Sequence, residues 1–287
     1  MPSCRIWSVL RLPCPMALAL LTLAGWLLAG TSAHAQEFRI YTRVYNEAGE
    51  KKNEAVARSL TLFHAGKTYD YLDNVGEVVI FEPAARQFTI INSSHMMASV
   101  ITFDELETLV VDAEQHVRKY LSKLKQSEEP ALAQNLATIE FMLDPKFQES
   151  YDAKQQVLRL NHPQFSYTVK CERRDSPEVV ASYARYTEAM ARLNYVLHPS
   201  ALQPQPRLAL CRALREKQSM PVEVDMRVKL NNSLHLRAEH KIGWQLDQTD
   251  RQLIQKWQTL LDDPGTKRVP FPQLQQVLLV DQGKRKS

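Results

Sequence analysis

From Phe38 to Phe103 the chain reverses direction through turns too short for anything but antiparallel pairing. Phe38, Ile40, Thr42 and Val44 alternate with Arg39, Tyr41, Arg43 and Tyr45, the two-residue period of a strand. A polar turn, Asn46 to Asn53, leads to a second strand, Val56 to Ala65, and Gly66-Lys67 to a third, Thr68 to Leu72. After a break at Asp73-Asn74 and Gly76, Val78–Phe81 and Gln87–Ile91 make a hairpin around Glu82-Pro83-Ala84-Ala85-Arg86, and Met96–Phe103 adds a last strand. Parallel strands need a crossover of about a dozen residues or more, so these connections predict an antiparallel meander.

The period then changes. Leu106, Leu109, Val110, Ala113, Val117, Leu121 and Leu124 recur at three and four, behind Asp104 as N-cap with Glu107 as its acidic partner. Glu128-Glu129-Pro130 opens a second helix striped by Leu132, Leu136, Ile139 and Met142. Strands return at Gln156–Leu160 and Phe165–Glu172. Ser176-Pro177 starts a long helix, and a proline-rich connector (Pro199, Pro204, Pro206) leads to a shorter one, Leu208–Lys217. Val222–Leu230 alternates apolar with charged residues and turns at Asn231-Asn232-Ser233. The return strand carries Leu234, Leu236, Ala238, Ile242 and Trp244, and Thr249 with Gln252 caps a last helix. One arrangement satisfies all these stripes: an α+β fold, a curved, half-barrel-like antiparallel β-sheet with helices covering the concave face.

Ahead of the sheet lie Arg5, Arg11, the apolar run Met16–Ala29 and the small-residue ending Ala33-His34-Ala35, the three-part pattern of a cleaved signal peptide. The run is shorter than the ~20 residues a membrane-spanning helix needs. The chain thus divides into 1–35 as signal peptide, 36–263 as a single α+β domain, and 264–287 as a flexible tail rich in proline and ending Gly283-Lys284-Arg285-Lys286-Ser287. The expected location is the periplasm or the extracellular space, with no transmembrane segment after cleavage. Of the 287 residues, 44% are apolar and 24% charged, the composition of a folded protein rather than a disordered one. Beyond Ala35 there are 34 basic and 32 acidic side chains, because the leader holds two of the chain's 36 bases and none of its 32 acids. So small an imbalance excludes nucleic-acid binding by bulk charge.

Export leaves Cys171 and Cys211 as an even pair. A bridge would close a loop worth ~4 kcal/mol in the chain-entropy model. Both also sit on apolar stripes, where free cysteine packs as a small hydrophobe. Both readings stand at this stage.

The sequence beyond the leader holds no G-x-S-x-G, H-E-x-x-H, C-x-x-C or phosphate-binding glycine loop, and its six glycines are scattered. No cofactor or metal is implied. His240 keeps parity with Leu236, Ala238 and Ile242, which puts it on the apolar face, while His235 falls on the other side. His64 shares parity with Leu60 and Leu62. His162 and His198 each precede proline and read as turn residues; His95 reads as a loop residue and His116 as solvated. A curved sheet rich in Tyr41, Tyr45, Tyr69, Tyr71 and Phe81 is either filled by its own helices or left open as an apolar pocket.

Ser59–Phe63, Gly66–Tyr71 and Val79–Ile90 together resemble the hairpin series of periplasmic lipoprotein-localisation factors, the LolA-like half-barrel superfamily. That resemblance implies an exported half-barrel that shelters a lipid or lipoprotein acyl chain under its helices. It also resembles uncharacterised exported bacterial proteins. By strand position the candidate ligand-binding residues are Tyr41, Tyr69, Tyr71, Phe81 and Phe88, with His64 and His240 added by parity. Three functions are open: a non-enzymatic carrier or sensor of an apolar ligand, an envelope interaction module with a filled core and a protein partner, and an enzyme with scattered residues around His64 or His240.

Overall fold

The computed structural model describes residues 37–49, 54–126, 130–198, 201–230 and 233–286. The expected signal peptide, Pro199 and the Asn231-Asn232 turn lie outside them. The first meander is β1 (Phe38–Asn46), β2 (Ala55–His64), β3 (Lys67–Leu72), β4 (Glu77–Glu82), β5 (Gln87–Asn92) and β6 (Met97–Thr102). Two helices follow, α1 (Phe103–Leu124) and α2 (Pro130–Leu143). The second set of strands is β7 (Gln148–Asp152), β8 (Val157–Asn161), β9 (Phe165–Arg173), β10 (Ser219–Val228) and β11 (Leu234–Gly243). Between β9 and β10 run α3 (Pro177–Leu197) and α4 (Gln205–Glu216). The chain ends with α5 (Gln248–Asp262), β12 (Lys267–Arg268) and α6 (Phe271–Lys286).

The fold is α+β. All twelve strands form one sheet in the order β12-β6-β5-β4-β3-β2-β1-β11-β10-β9-β8-β7, with β12 and β7 as edges, so the sheet is not closed. Every pairing is antiparallel except the short one between β12 and β6. The two halves meet at a seam in which β1 pairs with β11 from Arg39↔Gly243 to Asn46↔Leu236. At Gly243 a Cβ would lie 2.8 Å from Arg39 Cγ, so glycine there lets the arginine stem lie across β11. The meander turns as expected; Ala65 (φ 49°) and Gly66 (φ 75°) supply the left-handed pair of a tight hairpin turn between β2 and β3. Pro221, which cannot donate to a ladder, falls where the β9–β10 register shifts.

Alternation assigns the helices to faces. Phe38, Phe81, Phe88 and Ile90 pack with Val110 of α1, Leu193 of α3 and Leu274 of α6. On the same side of the sheet, Tyr167, Val169 and Val224 pack with Phe141 of α2 and Leu210 of α4. The opposite face buries Leu62, Tyr69, Ile80 and Ile91 under Ile254 and Trp257 of α5. The sequence reading put the helices on one face; α5 covers the other, because β3 to β6 carry apolar side chains on both sides.

Two caps fall earlier than the spacing suggested. Thr102 and Glu105 form the capping box of α1, and Asp247 and Asp250 that of α5. Arg39 Nη1 donates to both Asp247 (2.8 Å) and Asp250 (2.9 Å), tying α5 to the seam. The stretch expected as a loose tail instead forms β12 and α6. Phe271, Leu274 and Leu278 of α6 are buried in the core, and its prolines sit at the helix start, where a missing N–H costs nothing.

Candidate functional site

β11 is a central strand, paired on both sides, yet none of its residues is fully buried. On its inward side Leu236, Ala238 and His240 border a cavity of about 410 Å³ above the seam. Its floor is built by β1, β2, β3, β9, β10 and β11, and its roof by α3 and α4. The apolar wall includes Ile40, Val44, Met190, Val224, Met226 and Leu236. A narrower set of polar groups interrupts it.

The first group surrounds His240. Thr42 faces it across the seam, with Thr42 Oγ1 2.9 Å from His240 Nδ1, and His240 Nε2 is buried without a hydrogen-bond partner among the described residues. Burial, reinforced by the nearby Arg207 cation, pushes the imidazole down to about 3, so it is neutral at pH 7. Arg207 reaches the cavity from the first turn of α4 and lies beside Tyr183 of α3. Burial opposes its charge, but a guanidinium titrates far above neutrality, so Arg207 stays a cation. No carboxylate pairs with it among the described residues.

The second polar group is Asp70, the one acid on the cavity wall. It is 8% exposed, accepts a 2.7 Å hydrogen bond from Thr61 Oγ1 and lies near the Tyr186 phenol. Burial, with Glu77 acting in the same direction, pushes its carboxyl up to about 6 against the opposing pull of the Thr61 hydroxyl and the nearby Tyr186 phenol. Gln203 adds an amide whose nitrogen donates to Tyr195 at 2.8 Å and whose Oε1 is buried without a partner.

Of the residues singled out from sequence, His240 is the one that lines this cavity. Phe81 and Phe88 lie on the same sheet face but in the filled core, where Phe81 packs 5.7 Å from Phe103 and 6.2 Å from Tyr186. Tyr69 and Tyr71 lie on the opposite face, 6.2 Å and 5.7 Å from Trp257 of α5. Tyr41 shares that face by alternation with Arg39, and Tyr45 stacks under Arg237 there. His64 is also there, its Nδ1 2.6 Å from Glu37, which Arg251 of α5 holds in turn. The structure therefore does not bring His64 and His240 together.

Cys171 and Cys211 are free, buried thiols. Cys211 Sγ lies 3.3 Å from Thr187 Oγ1, and burial pushes the Cys171 thiol up to about 11, the state of an inert core cysteine. Among the described residues, no three His, Cys, Asp or Glu side chains cluster as metal ligands, and no helix is long and apolar enough to cross a membrane.

Sequence reasoning missed Arg207, Asp70, Thr61, Tyr183 and Tyr186. Two signals were present. Arg207 falls on the stripe of Leu210, Cys211 and Leu214, so a charge interrupts an apolar helix face. Asp70 lies between Tyr69 and Tyr71 in a strand whose opposite sides are both covered. A scan against protein-family models finds no match to this chain, and a search of curated proteins finds none.

Proposed function

We propose that this protein is an exported, non-enzymatic carrier or sensor that holds an apolar ligand in the cavity above the β1–β11 seam. The observation that carries the reading is β11. A central strand with an alternating apolar face is normally plugged by its own helices, whereas Leu236 and Ala238 stay half-exposed beneath α3 and α4. The volume and the largely apolar wall with a few polar groups fit a small-molecule pocket. The signal-like leader and the resemblance to LolA-like half-barrels support the same reading. In it, the sheet curves as a half-barrel with α1 to α4 and α6 on its concave side, and the ligand is a lipid or an acyl chain.

Native mass spectrometry of the protein purified from its own host's envelope tests this. The expected result is an adduct of lipid-like mass that organic solvent removes. A bare protein mass, together with no uptake of added long-chain lipid, would overturn the carrier reading in favour of an envelope interaction module.

A further inference from the structure

Resting on that apolar-ligand reading, we infer that the cavity selects a single-chain amphiphile with a carboxylate head, seated on Arg207 with His240 as a second donor. Three observations converge. Arg207 carries its charge into the cavity with no carboxylate partner among the described residues. Asp70, the wall's own acid, is already engaged by Thr61 and forms no ion pair with the arginine. His240 Nε2 is buried and unpartnered on the same floor.

A guanidinium that faces a largely apolar cavity without a counter-charge is poorly compensated, and an anion brought in by the ligand supplies that counter-charge. The planar fork of arginine matches a carboxylate two bonds to two. When Thr42 Oγ1 donates to Nδ1, the neutral His240 carries its proton on Nε2 and has a donor to spare for the same head group. Tyr183 and Tyr167, the phenols beside Arg207, are neutral at pH 7 and leave room for one negative charge. The chain of the ligand then lies along Ile40, Met190, Val224, Met226 and Leu236. A neutral alcohol of equal length would leave the guanidinium unpaired.

The test is a native mass-spectrometry titration of the full chain, after removal of copurified lipid, with hexadecanoate and with hexadecanol. Charge-assisted hydrogen bonds lead to the expectation that hexadecanoate binds about tenfold or more tighter. In Arg207→Met that preference should disappear, hexadecanoate falling to the level of the alcohol. Equal affinities in the unsubstituted protein would overturn the head-group assignment while leaving the apolar-ligand reading intact. So would a preference that persists in a folded Arg207→Met. Binding of neither compound would overturn both. Should Arg207→Met fail to fold, the acid-to-alcohol ratio of the unsubstituted protein decides alone.

Discussion

β5 and β11 are both interior strands of the same sheet, and they differ in almost everything that packing can show. In β5, Phe88, Ile90 and Ile91 are completely buried, because α1 and α3 cover one face and α5 the other. In β11 the outward face carries Arg237 and Glu239, ion-paired with Glu47 and Arg43, and the inward face looks into a cavity. Their sequences differ accordingly: F-T-I-I is continuous and L-H-L-R-A-E-H alternates. Continuity means two covered faces and alternation means one. Alternation does not say how closely the covering layer approaches, and that distance makes the difference between core and pocket.

The strongest way to break the contrast is truncation on each side of it. Phe88→Ala in the filled half should cost about 4 kcal/mol, because the surrounding side chains cannot collapse into the space. Leu236→Ala on the cavity wall should cost about 1 kcal/mol, since little packing is lost there. Urea denaturation of both variants checks this. Equal losses would mean that the seam is packed like the rest of the sheet.

The next largest effect is electrostatic and sharpens the picture of the cavity floor. Asp70 titrates near 3.8 when free and near 6 in the fold, so the folded chain holds the proton more tightly in between. Its stabilising contribution is complete below pH 3.8 and lost as pH rises through 6, a difference of about 3 kcal/mol. Asp70→Asn keeps the acceptor for Thr61 and should raise stability at pH 7 while flattening the profile over that window. His240 acts oppositely. Its value falls from 6.5 to about 3, so its contribution is present above 6.5 and lost as pH drops. Denaturation midpoints between pH 4 and 7 for Asp70→Asn and for His240→Phe should therefore shift with opposite slopes.

Much of this architecture was readable in advance, and particular residues show why some was not. Turn chemistry announced the six strands of the first meander, and parity placed His240 on the inner face. β7, Q-E-S-Y-D, escaped notice because an edge strand with little buried surface has no apolar pattern to show. The caps at Thr102 and Asp247 were displaced by nearby residues of similar chemistry, Asp104 and Thr249. The pocket's cation, Arg207, comes from a helix far along the chain, and only the tertiary fold brings it near His240.

α5 is the element that makes the first half two-sided, and Arg39 is its tie to the seam. Arg39→Met should cost about 2 kcal/mol, because Asp250, with a side chain only 2% exposed, loses its counter-charge. Thermal unfolding followed by Trp257 fluorescence would register the loosening of α5, since Trp257 packs against Tyr69 and Tyr71. An unchanged transition would mean that the apolar contacts of Ile254 and Trp257 hold the helix without the clamp.

The smallest expected change in stability is the most informative about the seam. Ala238 sits midway along β11, opposite Val44 of β1 and Val224 of β10, and its side chain faces the cavity. A bulky residue forced into a filled core costs about 1–3 kcal/mol through displaced rotamers and backbone. Over a cavity of about 410 Å³ the same ring has somewhere to go, and it buries apolar surface as it enters. Ala238→Phe should therefore leave the unfolding midpoint within the error of the measurement while abolishing uptake of long-chain lipid. A loss of stability at the level of overpacking would instead place β11 with β5, as core rather than pocket.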